Sequence, residues 1–262
     1  MREMPEGVVL APRDDREGGT WIGLNGNGVF AALTNRSSQA TDPSRRSRGL
    51  LVMDVLAEKT PEGAVERIRA LSRQPEDLER ADVSDAKVLE GGEAMSTGLA
   101  AESRYNPFNM VIADRDQAFA VTYLEEPEVF TLEPGVHVIG NVGLHETSPK
   151  LDHIALGARR MAAGPNEDVM ESLAQVCRGH DGDSFDAACV HTEEYGTRSS
   201  ILLRLDEGSP GDGSETFGPQ SSFHYADGEP CRNPYLDFTP LLRELDRKAR
   251  IVEGESSARS ER

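Results

Sequence analysis

Two short apolar segments, Trp21-Ile22-Gly23-Leu24 and Val29-Phe30-Ala31-Ala32-Leu33, flank Asn25-Gly26-Asn27-Gly28. The two Asn-Gly steps tolerate the positive φ of a tight turn, so the stretch predicts a hairpin whose second strand ends on Thr34-Asn35-Arg36. Gly18 and Gly19, just before it, leave room for another backbone or a ligand to approach closely. A second hairpin is predicted from Phe108–Ala113 and Ala118–Leu124 around the turn Asp114-Arg115-Asp116-Gln117. Shorter strands are predicted at Glu128–Leu132, Val136–Ile139, Ala187–Val190, Ile201–Leu205 and Ser222–Tyr225. Val8-Val9-Leu10, after a turn at Met4–Gly7, is a further strand candidate close to the first residue.

Helical spacing replaces the strand pattern in four places and again near the end. Gly49–Ala57 carries Leu51, Val52, Val55 and Leu56. Thr60-Pro61-Glu62 supplies a cap, a first-turn proline and an early acid before Ala64, Val65, Ile68 and Leu71. Lys150–Ala163 puts Leu151, Ile154, Ala155, Ala158 and Met161 on one face. Asn166 can cap a helix to Val176 with Val169, Leu173 and Val176 inward, and Leu236–Leu245 closes the chain. The order is strands, two helices, strands, two helices, strands. Hairpins with helices in separate groups predict an α+β fold of two sheets with helical layers rather than βαβ units. The predicted domain spans residues 1–250, with a polar mobile tail at 251–262. Residues 72–104, where periodicity fades around Gly91-Gly92, read as a surface excursion, and residues 206–215 as a mobile loop.

Charge narrows the partners. The net charge is -18, from 46 acidic and 28 basic residues, and only Lys59, Lys87, Lys150 and Lys248 are lysines. So acidic, lysine-poor a surface suits high salt, where screening tames self-repulsion. It excludes a nucleic-acid-binding role that needs a basic footprint. Arg45, Arg46 and Arg48 form the one dense basic cluster, to be met by an internal carboxylate face or an anionic ligand. No apolar run approaches membrane-spanning length, and the expected location is cytoplasmic. Cys177, Cys189 and Cys231 show neither a CxxC pair nor a histidine at zinc spacing, and read as small buried hydrophobes. The acidic residues Asp181, Asp183 and Asp186 fit a calcium loop poorly. No metal or cofactor is expected, and neither GxGxxG nor GxxxxGK[ST] occurs.

Candidate chemistry sits where strands end. Asn35 and Asn141 each offer an amide and Arg198 a permanently charged fork, a set able to hold a carbonyl, a carboxylate or a developing oxyanion. Thr197, Ser199 and Ser200 add hydroxyls, Tyr195 can cap such a pocket, and Trp21, Thr34 and Arg36 complete the candidate binding residues. No histidine stands near a serine or cysteine in a nucleophile elbow, so the set has no evident engine.

The ordered blocks Glu17-Gly18-Gly19-Thr20-Trp21-Ile22-Gly23, Ala31-Ala32-Leu33-Thr34-Asn35, Asn106-Pro107-Phe108-Asn109-Met110 and Tyr195-Gly196-Thr197-Arg198-Ser199-Ser200 closely resemble the family named for its Asn-Arg-Asp-Glu (NRDE) motif. That family includes the transport and Golgi organisation 2 proteins. Gly140-Asn141 with Glu146-Thr147-Ser148-Pro149-Lys150 resembles a less specific fourth block. The resemblance implies an N-terminal-nucleophile-hydrolase-like αββα four-layer sandwich. Family members usually begin Met-Cys, the cysteine acting as nucleophile with its own α-amine as base. By motif, Asn35, Asn141 and Arg198 match site residues of related cysteine amidases. Here the strand with that Cys and the Asn-Arg-Asp-Glu strand are both missing, so the fold is expected to lack its first hairpin: either the start was assigned too late, the favoured reading, or the chain is a natural remnant without catalytic ends.

Two functions follow as expectations. One is hydrolysis of an amide or thioester by a full-length form, with no catalytic residue and no activity in this chain. The other is a non-enzymatic carrier of haem or an acyl-coenzyme A-like anionic small molecule, with Arg198 and Arg36 holding the anionic group.

Overall fold

Asn25 turns the chain and also anchors it. Its amide nitrogen donates to the carbonyls of Leu56 and Glu58 at 2.9 and 2.7 Å, and its oxygen accepts from the amides of Asn27 and Val29. Gly28 takes the positive φ, 86°, that the turn requires. The computed structural model describes residues 1–36, 41–72, 104–162, 168–180, 185–206 and 216–260. The predicted excursion at 72–104, the loop at 206–215, the Asn166 cap and Asp181 and Asp183 therefore fall wholly or largely outside the described residues.

Seven strands form one antiparallel sheet in sequence order: β1 (Arg2–Met4), β2 (Gly7–Leu10), β3 (Ile22–Asn25), β4 (Phe30–Asn35), β5 (Phe108–Ala113), β6 (Ala118–Tyr123) and β7 (Pro127–Thr131). Helices α1 (Arg48–Val55) and α2 (Pro61–Ser72) cover one face. The strand period decides what they cover: Phe108, Met110 and Ile112 of β5 pack with Leu51, Val55, Val65 and Ile68 in the larger core. Gly19 and Gly49 are what let α1 sit so close, since a Cβ on Gly19 would collide with the Gly49 carbonyl group. The Gly-Gly pair thus admits a backbone.

A second antiparallel sheet, ordered β10-β9-β8, comprises β8 (Ser199–Arg204), β9 (Ser222–Asp227) and β10 (Leu236–Asp237). A second core joins the sheets through Val8, Leu24 and Phe30 on one side and Leu203 and Phe223 on the other. Leu242 and Leu245 of α5 (Thr239–Ser260) complete it. Helices α3 (Pro149–Ala162) and α4 (Val169–Arg178) form the outer layer, α4 lying against β8. The layers run helix, sheet, sheet, helix, the α+β arrangement that the family resemblance implies.

Four local expectations are corrected. Val136–Ile139 is not a strand: after Pro134-Gly135 it lines a cavity with Phe130 and Leu132. Ala187–Val190 is buried but forms no strand. Its amides bond to Gly179 and Thr197, so its apolar character reflects a buried loop. In α4 the faces are exchanged: Val169 is 62% exposed and Leu173 also faces solvent, while Ser172 and Ala174 are buried. Small residues permit close docking on β8, and the helix is capped by Asp168, whose carboxylate accepts from the Met170 amide at 2.9 Å. Finally, residues 251–260 continue α5, and Val252 packs on the second core. The polar composition there marks the end of a helix.

Candidate functional site

Three polar side chains stand in register across the middle of the seven-stranded sheet: Thr34 on β4 opposite Asn109 on β5, and Asn109 opposite Thr122 on β6. They face away from α1 and α2, and they hold the segment that follows β7. Asn109 donates to the carbonyls of Gly140 and Val142 at 2.9 and 2.6 Å while accepting from the Thr122 hydroxyl at 2.8 Å. Thr34 donates to Gly140 at 2.7 Å. Arg36 reaches the same row, donating to Thr122 at 3.2 Å and pairing with Glu146 at 3.2 Å. Its guanidinium is therefore engaged by the protein's own carboxylate. Asn109 and Thr122 are the residues that sequence reasoning missed. A lone asparagine within Phe108–Ala113, at the alternate phase from Phe108, Met110 and Ile112, was the available signal.

Asn35 and Asn141 do meet, through the Asn141 amide and the Asn35 main-chain carbonyl at 2.8 Å. The Asn35 side chain is exposed, on the strand phase opposite to Thr34. Arg198 immediately precedes β8. It lines a cleft of about 710 Å³ with His191, Tyr195, Thr197, Asp227, Glu229 and Arg232, none of them part of the Thr34–Asn109–Thr122 network. Glu193, Glu194, Asp227 and Glu229 outnumber Arg198 and Arg232 there, so the cleft does not favour an anion. The Thr197 hydroxyl accepts from the Val190 amide at 2.9 Å, a loop-tying role, and Tyr195, 66% exposed, stacks on Phe185. The arginine cluster is also spent internally. Arg46 pairs with Asp54 at 2.7 Å and donates to the Tyr105 hydroxyl at 2.7 Å, Arg45 pairs with Asp42, and Arg48 donates to the Pro107 carbonyl.

Trp21 leads to a different cavity. Between the two sheets lies an apolar space of about 300 Å³. Its walls include Leu10, Leu24 and Phe30 from the larger sheet and Ile201, Leu203 and Phe223 from the smaller. Ser199, Ile201 and Leu203 share one phase of β8 and point into it, whereas Ser200 lies on the other phase, where its hydroxyl meets that of Tyr235 at 2.6 Å. Trp21, half exposed at 50%, stands at the edge.

The cysteines are not all isolated. His180, Cys189, His191 and Cys231 bring four donor atoms within 4.8 Å of one another. His191 Nε2 lies 3.5 Å from Cys189 Sγ and 3.1 Å from Cys231 Sγ, and its ring stacks on His180. Burial pushes the Cys231 thiol up, and the neighbouring Cys189 adds to the effect. The reading of Cys189 and Cys231 as plain hydrophobes is thereby corrected. Three of the four lie on the connection between α4 and β8 and Cys231 lies between β9 and β10; only Cys189 and His191 are close in sequence, so no zinc-type spacing announced the full set.

No helix among the described residues is long and apolar enough to cross a membrane. A family profile described as Transport and Golgi organisation 2 matches residues 2–215. The human Transport and Golgi organization protein 2 homolog is 26% identical, the similarity covering 81% of this chain and 75% of that protein. The bovine homolog is 25% identical with the same coverage, and the mouse homolog 24% identical over 75% of this chain and 71% of that protein. Among solved structures, a Caenorhabditis elegans N-acylethanolamine-hydrolyzing acid amidase ortholog is similar with a TM-score of 0.41 and 13% identity, covering 66% of this chain and 74% of that one. With the profile spanning most of the sequence and the glycine, asparagine and Tyr-Gly-Thr-Arg blocks all in place, the chain belongs to the Transport and Golgi organisation 2 family.

Proposed function

We propose that this chain binds a small molecule with an apolar tail, such as an acyl thioester, and houses the tail between its two sheets. The observation that supports this reading is the apolar inter-sheet cavity of about 300 Å³ with half-exposed Trp21 at its edge. Its volume is at the lower end of the ~300–1,000 Å³ usual for small-molecule pockets. An exposed indole over an apolar space covers a ligand's chain at little entropic cost. The alternative haem ligand is supported less well, because the cavity walls hold no histidine, cysteine or methionine, and Tyr225 is the sole side chain there of an iron-ligating type. Hydrolysis is not part of the reading for this chain. Ser199 is the cavity's one aliphatic hydroxyl, and no histidine lines the space beside it.

Trp21 is the only tryptophan, so intrinsic fluorescence reports on this cavity directly. Titration with palmitoyl-coenzyme A should give a saturable blue shift, coenzyme A alone should not, and Ile201→Phe, which fills the space, should weaken the response at least tenfold. A response to coenzyme A alone, or one indifferent to I201F, would place the ligand elsewhere and defeat the proposal.

A further inference from the structure

We infer that His180, Cys189, His191 and Cys231 form a structural Zn²⁺ site that ties the loop before β8 to the end of α4 and to the loop between β9 and β10. Three independent features carry this. First, the donor set is two thiols and two imidazoles, the composition of closed tetrahedral zinc centres. Second, the spacing is close to what the ion needs, every donor pair lying within 4.8 Å. Zn–S bonds of about 2.3 Å and Zn–N bonds of about 2.0–2.1 Å place neighbouring donors roughly 3.3–3.8 Å apart around a tetrahedron. Cys189 Sγ and His191 Nε2 are 3.5 Å apart, and Cys231 Sγ, at 3.1 Å from the same nitrogen, has only to move slightly outward. Third, the outer partner is in place. Glu229 Oε1 lies 3.6 Å from His191 Nδ1, on the far side of the ring from the sulfurs. The separation is longer than a hydrogen bond, and a small closure would let this carboxylate accept from Nδ1 and leave Nε2 free to ligate, as carboxylates do around many bound metals.

The chain around the cluster supplies a reason for such a staple. Residues 179–180 and 185–198 contain no strand or helix. They are held by a few loop bonds, Cys189 to Gly179 at 3.0 Å and Thr197 to Val190 at 2.9 Å among them. Cys231 sits in a turn closed by the amides of Arg232 and Asn233 on the Glu229 carbonyl. One ion joining all three segments would contribute its binding free energy to their folding. Loading exchanges two thiol protons for the metal: Zn²⁺ + 2 Cys–SH give Zn(S–Cys)₂ + 2 H⁺, with both imidazoles neutral and no change of oxidation state. A Cys231–His191–Glu229 relay for nucleophilic catalysis uses only part of the cluster and leaves Cys189 and His180 without a purpose.

The test uses the full chain, reduced and stripped of metal, then titrated with Co²⁺ as a spectroscopic stand-in for Zn²⁺. The expected result is a saturable spectrum with intense visible bands of tetrahedral cobalt and a near-ultraviolet thiolate charge-transfer band, ending near one metal per chain. Zn²⁺ should abolish it by displacement. Cys231→Ser and His191→Ala should lose the spectrum, and Cys177→Ser, outside the cluster, should keep it. Where a cluster variant fails to fold, the wild type decides by thiol counting: one reactive cysteine with Zn²⁺ bound and three after chelation. Folded wild type that shows no saturable cobalt spectrum overturns the inference. So do full binding by C231S, three reactive thiols regardless of metal, or a Cys189–Cys231 disulfide in protein kept under reducing conditions.

Discussion

Asn141 donates its side-chain amide to the main-chain carbonyl of Asn35, 2.8 Å away and 106 residues earlier in the chain. The two asparagines are thus joined, but only one of them through its side chain. Removing the Asn35 side chain leaves the bond intact, and its exposed position leaves no cavity. Asn35→Ala should therefore change unfolding free energy by within about 0.5 kcal/mol. Asn141→Ala loses the bond and should cost about 0.5–1.5 kcal/mol. Urea melts of both variants check the order, and an equal or larger loss for N35A would contradict it.

Asn109 is the centre of the polar row. Its side chain is fully buried and makes three hydrogen bonds, two of them to the carbonyls of Gly140 and Val142. Thr34 still serves Gly140 in its absence, but Val142 is left without this donor. Asn109→Ala should destabilise by about 1–3 kcal/mol, the cost of stranding buried polar groups. Hydrogen exchange should then rise first in residues 140–146. A uniform rise across the sheet would show that the row supports the whole sheet and not this segment.

Tyr235 sets a limit on alkaline stability. Burial is the first cause that pushes its phenol up to about 12, against an ordinary 10.0, and the Ser200 hydrogen bond pulls in the opposite direction. The unfolded chain loses this proton first, so the stabilisation is fully present below pH 10 and is lost as pH rises from there through about 12. Tyr235→Phe should flatten the decline of melting temperature across that window. In absorbance titration of the folded protein, the phenol step near pH 12 should disappear. Unchanged titration in Y235F would assign the late step to another tyrosine.

Net charge of -18 on 262 residues predicts stabilisation by salt. Potassium chloride screens the repulsion among carboxylates farther apart than about 10 Å at 0.1 M and about 3 Å at 1 M. Melting temperature should climb steadily from low to molar salt. A flat or falling curve would remove the high-salt reading.

The sequence by itself determined the elements whose cause is local. The Asn25–Gly28 turn, the Asp114–Gln117 turn, the proline-led start of α2 and the order of strands and helices are written in neighbouring residues, and they formed. Family membership was legible for a related reason: its blocks are short contiguous strings. What only the tertiary structure decided is every relationship between distant segments. Asn109 became a loop anchor because β5 pairs with β4 and β6 in one register and not the next. Ser199, Ile201 and Leu203 took the inward phase of β8, while Arg198 lines the cleft at its start with His191 and Tyr195. Ala187–Val190 looks like a strand because burial selects apolar residues whether or not a partner strand is there to accept their hydrogen bonds, and Val136–Ile139 because it lines a cavity. His180, Cys189, His191 and Cys231 converged from two connections far apart in sequence, and such a pattern is invisible until the loops are folded.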